Sequence, residues 1–403
     1  MIRRVLLAVP ILAVAGIVLT VLILKTDDSA SNGSSTSPTA TSPINGGRTS
    51  TAKATKSPRG TPTATPEPVV EKRRLNPDSF QAGAAVLLFE PYQGWEDDII
   101  RWYDYLAERG VNTLSLNFPI LTDAATSNQV YTTKQTPSDE KLRFAISQAH
   151  RLGFTVFLRP LLNPDVSFKG EPNDWRGTLR PSSIPTWFSN YGNTILHYAA
   201  LAQEENVEMF SVGVELVSLA TSQPEEWRSL ITEVRKVYSG QVTYCANWDE
   251  VSRVTFWGDV DVIAVDAFFE LDVSDKPSVE ELVSAWSRKA YVGVPLDIIQ
   301  RVHDTWGKPV VLAEFGMPAK AGTERNPWEG AEDAPATEQD LAAQANYYRA
   351  GFIATDKPFI RGYYVWAVTP SEDPTKSSPR TGYSPWGKPA ETVISEVYRE
   401  RSS

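Results

Sequence analysis

Hydrophobic and polar positions divide the chain into three stretches. Val5 to Leu24 is an uncharged run, almost all apolar. At ~1.5 Å of rise per residue it is long enough, as a helix, to cross a hydrocarbon core of ~30 Å. From Thr26 to about Pro68 the chain is Ser, Thr, Pro, Gly and Ala with scattered Lys and Arg. Too few large apolar side chains are present to offset backbone ordering entropy, so a disordered tether is expected. After Leu75 short β-branched or aliphatic runs alternate with amphipathic stretches of helical period. The pattern predicts strands over Ala84–Phe89, Thr113–Asn117, Thr155–Pro160, Met209–Glu215, Val242–Asn247, Val260–Ala267, Val310–Glu314 and Gly362–Trp366. It predicts helices over Glu96–Arg109, Ser138–Arg151, Thr186–Glu205, Glu225–Tyr238, Val279–Trp306, Glu338–Thr355 and Glu391–Arg399. Only a small helix fits between strands five and six.

Strands alternating with helices imply a parallel sheet with right-handed crossovers, and eight such units fit a (β/α)8 TIM barrel. A doubly wound sheet would place a glycine-rich turn after strand one, and Phe89-Glu90-Pro91-Tyr92-Gln93-Gly94 lacks it. The expected organisation is a transmembrane signal anchor over residues 1–25, a Ser/Thr/Pro-rich linker over 26–74 and a catalytic (β/α)8 domain over 75–403. Arg3 and Arg4 precede the apolar run and Asp27 and Asp28 follow it. This places the N-terminus in the cytoplasm and the barrel outside, at the cell membrane. A cleaved signal peptide, giving a secreted protein, is the alternative; Ala13-Val14-Ala15 resembles a cleavage site.

Charge sharpens this division. The 403 residues carry a net −10, but residues 1–74 carry +6 and the rest −16. An acidic domain is a poor ligand for nucleic acid. Cys245 is the only cysteine, and there are three histidines. His150, His197 and His303 all fall in helical stretches, away from strand ends. A disulfide, an iron–sulfur site and a His-rich metal centre are therefore not expected. No metal or organic cofactor is predicted, and the domain is expected to be a monomer.

In a barrel the chemistry sits at the C-terminal ends of the strands. Those positions are Glu90, Asn117, Arg159 with Asn163, Glu215, Asn247 with Trp248, Asp266, Glu314 and Trp366. Alternation along strand four puts Ser211, Gly213 and Glu215 on one face. Glu314 closes an apolar run on strand seven. A carboxylate there is costly unless paired, so an ion pair with Arg159 is one explanation for either acid. Two acids on strands four and seven also match retaining glycosidases, whose carboxyls lie about 5–5.5 Å apart across the sugar bond.

Phe210-Ser211-Val212-Gly213-Val214-Glu215-Leu216, Trp227-Arg228 and Val242-Thr243-Tyr244-Cys245-Ala246-Asn247-Trp248 resemble glycoside hydrolase family 113. Asp261-Val262-Ile263-Ala264-Val265-Asp266-Ala267, Ala313-Glu314-Phe315-Gly316 and Gly387-Lys388-Pro389-Ala390 continue the resemblance, across most of residues 80–400. It implies a retaining barrel glycosidase acting mainly on β-1,4-mannan, with Glu215 as acid/base and Glu314 as nucleophile. Phe268 and Phe269 stand where the family usually has a tyrosine pair. Leu161-Leu162 and Val214 replace positions that are commonly polar. These departures leave open a related β-glucanase or xylanase, or a non-catalytic surface glycan-binding protein. Arg159, Asn247, Asp266, Trp175, Trp248 and Trp366 are the expected sugar-binding residues, the tryptophans as stacking platforms. Trp95, Trp102, Trp187, Trp227, Trp257, Trp286 and Trp306 are expected to pack helices.

Overall fold

The computed structural model describes residues 79–330, 333–373, 375 and 379–402. The anchor expected over 1–25 and the linker over 26–74 lie outside the described residues. Among the described residues no helix is long and apolar enough to cross a membrane.

Eight parallel strands close a barrel in sequence order: β1 (Gln81–Leu87), β2 (Thr113–Ala124), β3 (Thr155–Lys169), β4 (Met209–Val214), β5 (Gln241–Asn247), β6 (Val262–Asp266), β7 (Val310–Phe315) and β8 (Ile360–Val368). Around them run α1 (Trp95–Glu108), α2 (Asp139–Arg151), α3 (Ile184–Glu204), α4 (Val217–Ser222), α5 (Pro224–Val237), α6 (Val279–Ala285), α7 (Pro295–Trp306), α8 (Glu338–Ala354) and α9 (Pro389–Ser402). The (β/α)8 expectation holds. Two apolar clusters stabilise it. Outward-facing strand residues meet the helices in a large shell that buries Trp95, Trp102, Trp187, Trp227, Trp257 and Trp286. Inside the barrel Phe157, Met209, Val214, Cys245, Val262, Ala264, Val311, Ala313 and Tyr364 form a second cluster, with Phe89 and Trp366 packed against it.

The structure departs from the predicted pattern in three places. The single helix expected over Val279–Trp306 is two: α6 ends at Ala285, and α7 starts afresh at Pro295, two residues after Gly293 at φ 135°. Proline suits the first position of a helix, where its missing N–H costs no bond. Second, β2 and β3 run well past Asn117 and Pro160, pairing on through Phe118↔Pro160 to Thr122↔Pro164. Pairing of β3 with β4 stops at Leu158↔Phe210. The far flank of β3 is therefore an edge, where Pro160 and Pro164 sacrifice no ladder bond. The two strands make a ledge beside the barrel mouth.

Third, β4 does not alternate as expected. Ser211 pairs with Thr243 but Val214 pairs with Cys245, so β4 carries one residue more than β5. This bulge turns Val214 into the inner cluster and Gly213 outward. A Cβ on Gly213 would lie 2.8 Å from the Trp227 ring of α5. Ser211, Gly213 and Glu215 therefore do not share one face. Bulges of this kind re-aim side chains next to active sites.

Candidate active site

Five charged side chains meet at the C-terminal mouth. Arg159, from β3, is fully buried. Its Nη2 donates to both Asp266 carboxylate oxygens at 3.1 and 3.0 Å, and to Glu314 Oε1 at 2.9 Å. Its Nη1 donates to the Ala313 carbonyl at 3.0 Å. One guanidinium thus bridges β3 to β6 and β7. The ion pair expected as an alternative role for Glu314 is present, and Asp266 shares it. A second bulge brings those two acids level: Val265 pairs with Leu312 but Asp266 with Glu314, one residue further along β7. Asn247 pairs with Asp266 on the other side.

Glu215 follows the bulge in β4, with φ 52°. A left-handed backbone costs a residue with a Cβ about 1–2 kcal/mol, and such outliers collect at functional sites. Its amide donates to the Cys245 carbonyl at 2.8 Å. Its Oε2 accepts from Arg176 Nη1 at 2.9 Å, and Arg176 Nη2 donates to Asn163 Oδ1 at 2.7 Å. Both partners come from the ledge and the loop beyond it.

Burial raises the pKa of Glu215, with Arg176 and then Arg159 opposing and Asp249 adding to the rise. Burial also raises Glu314 well above the usual carboxylate range; Asp266 adds to this and Arg159 opposes it. Burial pushes Asp266 up to about 7, against the pull of Arg159. Fully ionised, these three carboxylates and two guanidiniums sum to one negative charge. One added proton makes the set neutral, and the groups titrate together rather than singly. Burial thus favours the protonated form of each acid, and the two arginines oppose it.

The stability consequence has a definite sign. Carboxyls that bind protons more tightly folded than unfolded support the fold fully below the ordinary carboxylate range. That support is lost as pH rises through the folded values. Glu314→Gln removes the surplus negative charge. Its melting temperature is expected to gain on wild type between about pH 5 and about pH 8, by roughly 2–4 °C for each kcal/mol relieved. Thermal melts of both proteins across that range check it.

The remaining expected residues are distributed differently. Trp366 is half-buried on the inner cluster, at the mouth. Trp175 is half-buried beside Arg176, and a side chain at Gly177 would overlap its indole. Trp248 is only 7% exposed and belongs to the outer shell, its ring 6.3 Å from Phe269. Asn247 is buried and accepts from the Trp248 amide at 2.9 Å. Glu90 is exposed and its backbone is tied to Gln135. All three histidines lie on helices, in α2, α3 and α7. Among the described residues no cluster of His, Cys, Asp or Glu is arranged to hold a metal ion.

Sequence reasoning passed over Arg176, although its net-acidic surroundings at the strand ends called for a second cation. It also passed over Tyr383, in the loop after β8. Tyr383 packs 5.9 Å from Phe268 and donates to the Pro327 carbonyl at 3.0 Å. Burial and then the charges of Glu314 and Glu215 raise its pKa. No motif in the sequence marks it.

The family model for Glycoside Hydrolase Family 113 matches residues 95–388. Among solved structures, the GH113 β-mannanase of Alicyclobacillus acidocaldarius is similar at 26% identity and TM-score 0.69, over 80% of this chain and 98% of that one. A second GH113 β-1,4-mannanase is similar at 25% identity and TM-score 0.67, over 80% and 99%. A β-D-glucuronidase of Dictyoglomus thermophilum, at 16% identity, TM-score 0.51 and 51% of its own length, shares the fold alone. No curated protein is significantly similar in sequence. The chain belongs to glycoside hydrolase family 113 and is a glycoside hydrolase.

Proposed function

We propose that the protein is a retaining glycosidase that cleaves β-1,4-mannan or its oligosaccharides by double displacement. The observation that carries this reading is a pair of buried glutamates at the ends of strands four and seven, each held by its own arginine: Glu215 by Arg176 and Glu314 by Arg159. Glu314, ion-paired to Arg159, attacks the anomeric carbon as the bond to the leaving sugar breaks. Glu215 delivers its proton to the departing oxygen. Water then attacks the same carbon, gives a proton back to Glu215, and releases Glu314. Arg159 and Asp266 keep Glu314 in place. Trp366, lying over the barrel interior, offers its indole face to the reacting sugar. Trp175 borders the same mouth from the ledge. Asn247, at the end of β5, is proposed to hold the sugar as well, while Trp248 packs in the outer shell against Phe269. Two family relatives described as mannanases support the choice of sugar. Digestion of mannan, glucan and xylan oligomers tests it: mannan products alone are expected, and cleavage of xylan or glucan alone overturns the sugar assignment.

The Arg176–Glu215 pair opposes the acid role, because a guanidinium favours the carboxylate. Arg176→Met is therefore expected to move the basic limb of the kcat/KM profile to higher pH, since Glu215 keeps its proton longer without the cation. A pH–rate profile of the variant against wild type checks the direction.

The same reading has the barrel acting as a monomer outside the cytoplasm. Residues 1–25 would hold it at the membrane and 26–74 would act as a tether. Cell fractionation with and without residues 1–25 tests that arrangement.

A further inference from the structure

We infer that Glu250 and Tyr244 form a buried clamp that sets the position of Glu215, making them positioning residues for proton transfer. This rests on the reading of Glu215 as acid/base. Both side chains are fully buried. Tyr244 Oη accepts from the amide of Leu216, the residue after Glu215, at 2.8 Å. The same hydroxyl donates to Glu250 Oε1 at 3.0 Å. Glu250 Oε1 also accepts from the Asn247 amide at 2.9 Å. One carboxyl oxygen thus ties the exit of β4 to the exit of β5.

The clamp sits where the backbone needs one. Glu215 is held at positive φ directly after a bulge, and such a conformation persists only when its surroundings over-determine it. The Cys245 carbonyl fixes the Glu215 amide on one side, and Tyr244 fixes the Leu216 amide on the other. The tyrosine ring cannot drift. Trp227 and Phe256 pack edge-on at 5.2 and 5.4 Å. A Cβ on Gly213 would lie 3.1 Å from Tyr244 Cε2, so glycine lets the ring close on the strand. Glu250 supplies no proton to the reaction. It orients the phenol so that the oxygen lone pair faces Leu216, and glutamine retains the acceptor this needs.

The test uses the full chain with Tyr244→Phe, Glu250→Leu and Glu250→Gln. Leaving groups separate positioning from bulk damage. A manno-oligosaccharide needs the acid, whereas a 2,4-dinitrophenyl mannoside releases its dinitrophenolate without it. Tyr244→Phe and Glu250→Leu are expected to lower kcat/KM on the oligosaccharide by about 10- to 100-fold. On the dinitrophenyl substrate kcat/KM is expected to fall by less than about three-fold, and Glu250→Gln is expected to retain both activities to within about three-fold. Equal losses on the two substrates, or no loss on either, overturn the inference. Hydrogen exchange at Leu216 reads the clamp without activity: protected in wild type and Glu250→Gln, fast in Tyr244→Phe. Protection unchanged in Tyr244→Phe overturns the clamp even if Glu250→Leu fails to fold. A wild type that cleaves neither substrate refutes the proposed chemistry, while the exchange result still decides the clamp.

Discussion

Glu314→Ala is expected to lower kcat on mannan oligosaccharides by about 10⁴-fold or more, as loss of a covalent nucleophile does in other hydrolases. Arg159 already holds Glu314 and Asp266 from one nitrogen, so the fold has reason to survive the change. With Glu314 gone, Asp266 remains as the partner of Arg159 and keeps that buried cation paired. The loss should therefore fall on chemistry rather than on folding. Steady-state kinetics beside a thermal melt separate the two. Retention of full activity would remove Glu314 from the mechanism and leave it as a structural ion-pair partner.

Glu215→Ala is expected to produce the second largest effect and a different pattern. General acid–base catalysis contributes about 10²–10⁴-fold, and this much should be lost on unactivated oligosaccharides. Substrates with good leaving groups still form the glycosyl-enzyme, which then waits for a base to activate water. Azide needs no base. Adding it should restore turnover on an activated aryl mannoside and yield a glycosyl azide with the substrate's own anomeric configuration. Rescue with inverted configuration would instead assign the nucleophilic role to Glu215. The distinction matters because both glutamates are ion-paired to an arginine, and proximity to a cation alone does not separate them.

The barrel was legible in the sequence because each strand is a short β-branched or aliphatic run and each helix an amphipathic stretch of different period. The fresh start of α7 at Pro295 was present too, in a residue that a periodicity reading passes over. The two bulges were not legible. A single extra residue in β4 or β7 leaves the local pattern unchanged, yet it decides which side chains enter the mouth. Strict alternation therefore placed Glu215 correctly at the strand end and Gly213 on the wrong face. Arg159, Asp266 and Glu314 were found because strand ends are few. Arg176 carries no such signal, because it lies in the connection between β3 and α3 and not at a strand end. Glu250 was missed because an acid three residues beyond a strand reads as exposed, and only the fold shows that it is buried against Tyr244.

Covalent trapping tests the central claim most directly. A 2-deoxy-2-fluoro mannosyl fluoride slows the second displacement more than the first, so the glycosyl-enzyme accumulates. After digestion, mass spectrometry should place one sugar on the peptide that contains Glu314, with inactivation following the same time course. A label on Glu215 or Asp266 instead, or turnover of natural substrate with inverted products and no label at all, would contradict the account.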